Sequence, residues 1–143
     1  MVKELTPDEF TDRLLPIFRD VESRATYPGG DFNPEHFFST WQNLMKLKVA
    51  RTWEQGPGDA VLGAIFSPNL FVKNSNALVS FWFKKIGAPS ALPVMEAFIA
   101  AAREAGCKLA YSAAYHGLNF SRMVDKYEHL GFEESEVIFR KLL

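Results

Sequence analysis

Ala91-Leu-Pro-Val-Met-Glu-Ala-Phe-Ile-Ala-Ala-Ala-Arg-Glu-Ala-Gly-Cys107, running on into Lys-Leu-Ala-Tyr-Ser-Ala-Ala-Tyr115, is the stretch whose reading decides the fold. Alanine, leucine, methionine and glutamate favour a helix over 91–106, and Gly106 is the residue type that ends one. The apolar residues from Cys107 or Leu109 to Tyr115 then read as a strand. Upstream, Ala77-Leu-Val-Ser-Phe-Trp-Phe83 reads as a central strand closed by Lys84 and Lys85. A strand, a helix of about 15 residues and a second strand imply a parallel pair joined by a right-handed crossover. Alternation sends Phe81 and Phe83 to one face of that sheet and Trp82 to the other.

Working outward, Val49-Ala-Arg-Thr-Trp-Glu-Gln55, the turn Gly56-Pro-Gly-Asp59 and Ala60-Val-Leu-Gly-Ala-Ile-Phe66 form a hairpin signal. Ser67-Pro68-Asn69 breaks the return strand, and Asn74-Ser-Asn76 offers a second turn. Toward the start, Thr6-Pro7-Asp8-Glu9 combines an N-cap, a first-turn proline and a glutamate placed for a capping box, so a helix should run to about Glu22. Its apolar face is Phe10, Leu14, Ile17 and Val21. Tyr27-Pro-Gly-Gly-Asp-Phe32 reads as a loop, and Asn33-Pro34 starts a second helix with Phe37, Trp41, Leu44 and Met45 as its buried stripe. After residue 115 a helix is expected over 119–130, capped by Gly131, then a strand Val137-Ile-Phe-Arg-Lys141.

The 143 residues suit one domain, 1–143, and the 48% hydrophobic content suits a packed core. Sixteen basic residues against 17 acidic ones, with no polybasic block, argue against nucleic acid or an anionic membrane as direct partners. One cysteine forms no internal disulfide, no apolar run approaches the ~20 residues that span a bilayer, and the first residues lack a signal-peptide core. A cytoplasmic setting is the expectation. Three scattered histidines and one cysteine give a metal site no support.

The element order, the helix ending Ala-Arg-Glu-Ala-Gly-Cys107 and the later Tyr127-Glu-His-Leu-Gly-Phe132 together resemble the GNAT superfamily of acyl-CoA N-acyltransferases over most of the chain. In general style the chain also resembles divergent GNAT-like proteins of bacteriophages. The resemblance implies an α+β fold, a mixed central sheet flanked by about four helices. It also implies acetyl-CoA as co-substrate, its pantetheine arm between two splayed parallel strands and its pyrophosphate on backbone amides where the central helix begins. A helix start supplies unpaired N–H donors and the positive end of the dipole.

The family's phosphate pattern, Gln or Arg, two residues, Gly, one residue, Gly or Ala, falls on Ile86-Gly-Ala-Pro-Ser-Ala91, where only Ala91 matches. Pro89 and Pro93 bring no amide proton. With Ser90 as N-cap and Pro93 third in the helix, the amides of Gly87, Ala88, Ser90, Ala91 and Leu92 remain as donors, with Lys84 and Lys85 as supplementary cations beside Phe83 at the strand end. An ordinary strand-to-helix turn is the competing reading.

The resemblance makes Tyr127 the acid that protonates the departing thiolate and places Asn119 at the start of the same helix, eight residues earlier where seven is usual. His116, after the second parallel strand, is a candidate general base. Glu54 and Asp31 are candidates to hold a cationic amine. His36 and His129 are expected at the surface, and Cys107 packed at a strand entrance with no cationic neighbour. Two functions stay open: an N-acetyltransferase acting on a small-molecule or protein amine, or a GNAT-fold interaction or structural protein, as a homodimer or in a virion, that has lost efficient cofactor binding.

Overall fold

The computed structural model describes residues 1–22, 32–114 and 120–143, with side chains of the first helix described through Phe18. The elements are β1 (Val2–Glu4), α1 (Pro7–Glu22), α2 (Pro34–Lys46), β2 (Ala50–Gln55), β3 (Ala60–Pro68), β4 (Ser75–Lys84), α3 (Leu92–Glu104), β5 (Cys107–Tyr111) and α4 (Phe120–His129). They divide into two compact units, Met1–Tyr111 and Ser112–Leu143.

In the first unit the five strands form one sheet in chain order, β1-β2-β3-β4-β5. All neighbours are antiparallel except β4 and β5, which run parallel around α3. This is the α+β architecture that the resemblance implied, and β4-α3-β5 is the parallel pair that the strand-helix-strand signal implied. β1 was not anticipated: three residues are too few for a periodicity, and only the partner strand β2, with Val2 opposite Gln55, defines them. β3 also runs through Pro68, past the expected break, and β4 begins at Ser75, so the turn lies at 69–74 and is closed by Asn69 N–H donating to Asn74 O at 2.9 Å.

α1 starts where its cap requires. Thr6 Oγ1 accepts from Glu9 N at 3.4 Å while Glu9 Oε1 accepts from Thr6 N at 3.3 Å, the reciprocal pattern of a capping box. The ammonium of Lys3, then Thr6, hydrogen-bonds the Glu9 carboxylate and lowers its pKa. In α2 the Asn33 side chain accepts from His36 N at 2.9 Å and Pro34 occupies the first turn. Asn33→Ala is expected to lower the unfolding free energy by about 1 kcal/mol, measured by urea denaturation.

The two helices lay an aromatic core on one sheet face. Phe10, Leu14, Ile17 and Phe18 of α1 and Phe38, Trp41 and Met45 of α2 pack with Ala50, Val61 and Phe81. The stripe on α2 is wider than expected: Phe38 is buried and Phe37 half-buried, because α2 packs beside α1 and presents both rings to Phe18. On the opposite face α3 sets Phe98 against Trp53 and Phe66, with ring centroids 5.8 and 6.4 Å apart. Val94, Met95 and Phe98 are fully buried, and each such side chain contributes roughly 1.5–3 kcal/mol.

The second unit holds α4 and its cap. Gly131 takes φ 86° and donates to Glu128 O, while Phe132 N–H reaches back to Tyr127 O at 2.9 Å, so the glycine ends the helix as its position implied. The strand expected at Val137-Ile-Phe-Arg-Lys141 is not formed; Val137, Ile138 and Phe139 are exposed. A strand needs a neighbour to satisfy its amides, and no strand occurs among the described residues of this unit.

Candidate cofactor site

The parallel pair is short and then opens. β4 and β5 pair only from Ser75↔Cys107 to Leu78↔Tyr111, with one register shift after Ser75 that leaves Lys108 unmatched, and β5 ends at Tyr111 rather than at Tyr115. From Val79 to Lys84, β4 pairs with β3 alone. At that same point Gly63 faces Phe81 but Ala64 faces Val79, which leaves Ser80 as an extra residue on β4. A bulge of this kind bends the strand and increases its twist. The far half of β4 therefore departs from the line of β5 and, within the first unit, presents one edge without a strand.

Side chains on this half of β4 divide as alternation requires. Phe81 and Phe83 stack at 5.9 Å and both meet Phe18, so the Phe83 ring is committed to the α1–α2 core and only its backbone lies on the open edge. Trp82 points to the other face, opposite Leu62.

The loop leaving β4 is tied down by its own groups. Lys85 N–H donates to Asp59 O at 2.9 Å, Ala88 N–H closes a turn onto Lys85 O at 3.2 Å, and Gly87 supplies the φ of 78° that the third residue of a type II turn demands. Lys84 Nζ donates to Ala88 O at 2.7 Å. Gln55, buried, donates through Nε2 to Ser90 O at 2.7 Å, and its Oε1 has no partner among the described residues.

One expectation about this loop is corrected. Ala91, not Ser90, is the N-cap, and α3 begins at Leu92 with Pro93 second in the helix rather than third. The cause lies on β2: Gln55 Nε2 takes the Ser90 carbonyl, the acceptor an N-cap offers to the first intrahelical bond, so the chain enters the helix one residue later although Ser90 Oγ accepts from Leu92 N at 3.3 Å. Of the five expected donors, the amides of Ala88 and Leu92 are engaged within the loop. Those of Gly87, Ser90 and Ala91 find no acceptor among the described residues. Gly87 and Ser90 are exposed to solvent. An anion of diphosphate size suits such donors beside a helix start, with Lys85 exposed next to them. The donors fit the group, with fewer amides than a glycine-rich loop of the same length would bring.

In the second unit Tyr127 is buried on α4 with its ring 5.4 Å from Phe132. Its hydroxyl donates to Ala113 O at 3.0 Å and lies 2.7 Å from Ser112 Oγ, whose own proton it accepts. His116, Asn119, Tyr115 and Asp31 lie outside the described residues.

Glu54 sits on β2, almost fully buried, with both carboxylate oxygens taken by Arg13 of α1: Nε to Oε2 at 2.9 Å and Nη2 to Oε1 at 2.6 Å. That bidentate bond, first, and the charge of Glu54, second, raise the pKa of Arg13. Nothing local announces the pairing, since the partners stand 41 positions apart in the chain. His36 and His129 are exposed, as expected. Cys107 is half-buried at the start of β5, and burial pushes its thiol pKa up, while Arg51, the cationic neighbour not foreseen, pulls it only partly back. Alkylation of Cys107 by iodoacetamide at pH 8 is expected to run slower than that of free cysteine, followed by intact-mass spectrometry. No group of three or more His, Cys, Asp or Glu among the described residues is placed to hold a metal ion.

No protein-family model matches the chain, and no curated protein matches it by sequence. Solved structures do. An aminoglycoside acetyltransferase from an uncultured soil metagenomic sample superposes with TM-score 0.76 at 16% identity, covering 100% of this chain and 97% of its own. A predicted acetyltransferase with acetyl-CoA from Clostridium acetobutylicum gives 0.71 at 13%, covering 99% and 94%. A transcriptional regulator from Bacillus halodurans C-125 gives 0.76 at 18%, covering 100% and 99%. At these identities the likeness establishes the fold: the chain has the GNAT acetyltransferase fold.

Proposed function

We propose that this protein is an acetyl-CoA-dependent N-acetyltransferase acting on an amine of a small molecule or a protein. The observation that carries the proposal is the parting of β4 from β5 at Leu78 and Tyr111. It lies upstream of a loop whose Gly87, Ser90 and Ala91 amides have no acceptor in the described protein. The fold shared with acetyltransferases, one of them carrying acetyl-CoA, supports it further.

In this reading Gly87, Ser90, Ala91 and Lys85 hold the pyrophosphate, Lys84 fixes the loop through Ala88, and the backbone from Phe83 lines the pantetheine arm. The bound co-substrate supplies an acetyl group activated as a thioester. Tyr127 Oη carries the proton that the leaving sulfur takes up, and Asn119 and His116 stand as helper and base on the strength of their sequence positions. Glu54, tied to Arg13, acts as an anchor for α1. A cytoplasmic enzyme follows from the same reading.

Calorimetric titration with acetyl-CoA tests it. Micromolar binding supports the enzyme; no heat and no thermal shift at millimolar ligand would replace it with the second reading, an interaction or virion protein on the same fold, which Pro89 and Ile86 favour. Pro89→Gly, which restores an amide donor, is expected to tighten acetyl-CoA binding about five- to tenfold, as one hydrogen bond to a charged oxygen allows.

A further inference from the structure

Three connections meet at the end of the sheet away from the 85–91 loop: residues 47–49 between α2 and β2, residues 69–74 between β3 and β4, and the turn from α3 into β5. Pairing fixes their neighbourhood. Phe66 N–H donates to Val49 O at 2.8 Å, Pro68 faces Ser75, and Ser75 faces Cys107.

This end carries apolar side chains turned into solvent. Leu70 is 91% exposed and Phe71 94%, with Val72 following them, and Leu47 on the adjoining connection is 72% exposed. The tip is held in its protruding form, since Asn69 Oδ1 accepts from both Phe71 N at 2.8 Å and Val72 N at 3.2 Å. The three connections and the element ends that flank them carry Lys46, Lys48, Lys73, Arg103 and Lys108, all exposed, against Glu104 alone in these segments. The acidic residues at the neighbouring β1 edge are largely matched, Glu4 by Arg51 and Glu9 by Lys3, with Asp8 beyond them. The sequence scatters these cations over 63 positions with no basic block, and only the fold gathers them.

We infer that this end is a docking surface for an anionic lipid bilayer, entered by the Leu70-Phe71-Val72 tip and held by the surrounding lysines and arginine. A projecting tip of three consecutive apolar residues offers no groove for a partner side chain to fill. A fluid apolar phase accepts it without shape matching, and the flanking cations meet lipid phosphates at the depth where the tip ends. No helix among the described residues is long and apolar enough to cross a membrane, so the contact is peripheral. It revises the expectation, drawn from the absence of a basic run, that the chain has no membrane partner, and it stands independently of the proposed activity.

The test is flotation of the purified chain with vesicles of phosphatidylcholine alone and with one third phosphatidylglycerol. Expected are binding to the anionic vesicles only, loss of most of it in high salt, and a fall of about tenfold or more for Phe71→Ser or for the Lys48→Glu/Lys73→Glu pair. All three positions are exposed, so the variants should stay folded, the lysine pair with a small loss of melting temperature because Lys48 stands at the C-terminus of α2, and circular dichroism checks this. No flotation with anionic vesicles overturns the inference, as does equal flotation with neutral ones. A dimer that Phe71→Ser converts to monomer, with no vesicle binding, would assign the tip to a second copy instead.

Discussion

Replacing Tyr127 with phenylalanine is expected to lower kcat by about a hundredfold or more while leaving the acetyl-CoA Kd within about twofold, because general-acid groups contribute roughly 10²–10⁴ in rate and little to ground-state binding. The substitution is sparing. Phenylalanine keeps the ring, and so the 5.4 Å contact with Phe132, and removes the one oxygen that donates to Ala113 O and accepts from Ser112 Oγ. The cost in stability should stay near 1–2 kcal/mol for two neutral hydrogen bonds. Ser112→Ala is the companion measurement: it deletes the donor to Tyr127 Oη and leaves the phenolic proton in place. A merely structural Tyr127 would give both variants similar small losses of melting temperature and unchanged release of CoA thiol with an amine panel. The acid role gives a large fall for Tyr127→Phe and a small one for Ser112→Ala.

The strand-helix-strand core was legible because its signals are local. Ala91 to Gly106 has helical composition, the flanking apolar runs have strand length, and two of the helix starts announce themselves through Thr6-Pro7 and Asn33-Pro34. What escaped was decided at long range. β1 exists because β2 lies beside it, and Glu54 is an anchor because Arg13, far off in sequence, reaches it with both nitrogens. The shift of the α3 cap from Ser90 to Ala91 depends on Gln55, at the end of β2 and 35 positions earlier in the chain. The segment 137–141 has strand composition, yet composition supplies no partner for its amides, and the described second unit holds none. On the candidate site, the missing glycine at Pro89 could be read from the chain; which amides stay unpaired could not, because that turns on hydrogen bonds closed by Lys85 and Ser90.

Gly63→Ala should be among the most destabilising single-atom additions available in this protein, with an expected loss of about 2–3 kcal/mol in urea unfolding. Gly63 lies mid-strand on β3, with no unusual backbone angle that would call for glycine, so the requirement is one of space. A Cβ built there would lie 2.2 Å from Phe81 Cζ, 2.4 Å from Phe81 Cε1 and 2.7 Å from Trp41 Cζ2. Flexible side chains often yield to such an intrusion, but the Phe81 ring is hemmed by Trp41 at 4.8 Å, Phe37 at 5.5 Å, Phe18 at 5.6 Å and Phe83 at 5.9 Å. Relief must then come from the β3–β4 pairing beside the bulge between Gly63 and Ala64, the feature that turns β4 away from β5. Phe81→Leu frees part of the space at its own cost. The double variant Gly63→Ala/Phe81→Leu should therefore lose less than the sum of the singles, by about 1 kcal/mol or more, since residues in direct contact couple on that scale. Strict additivity would mean that the glycine is needed for something other than the aromatic cluster.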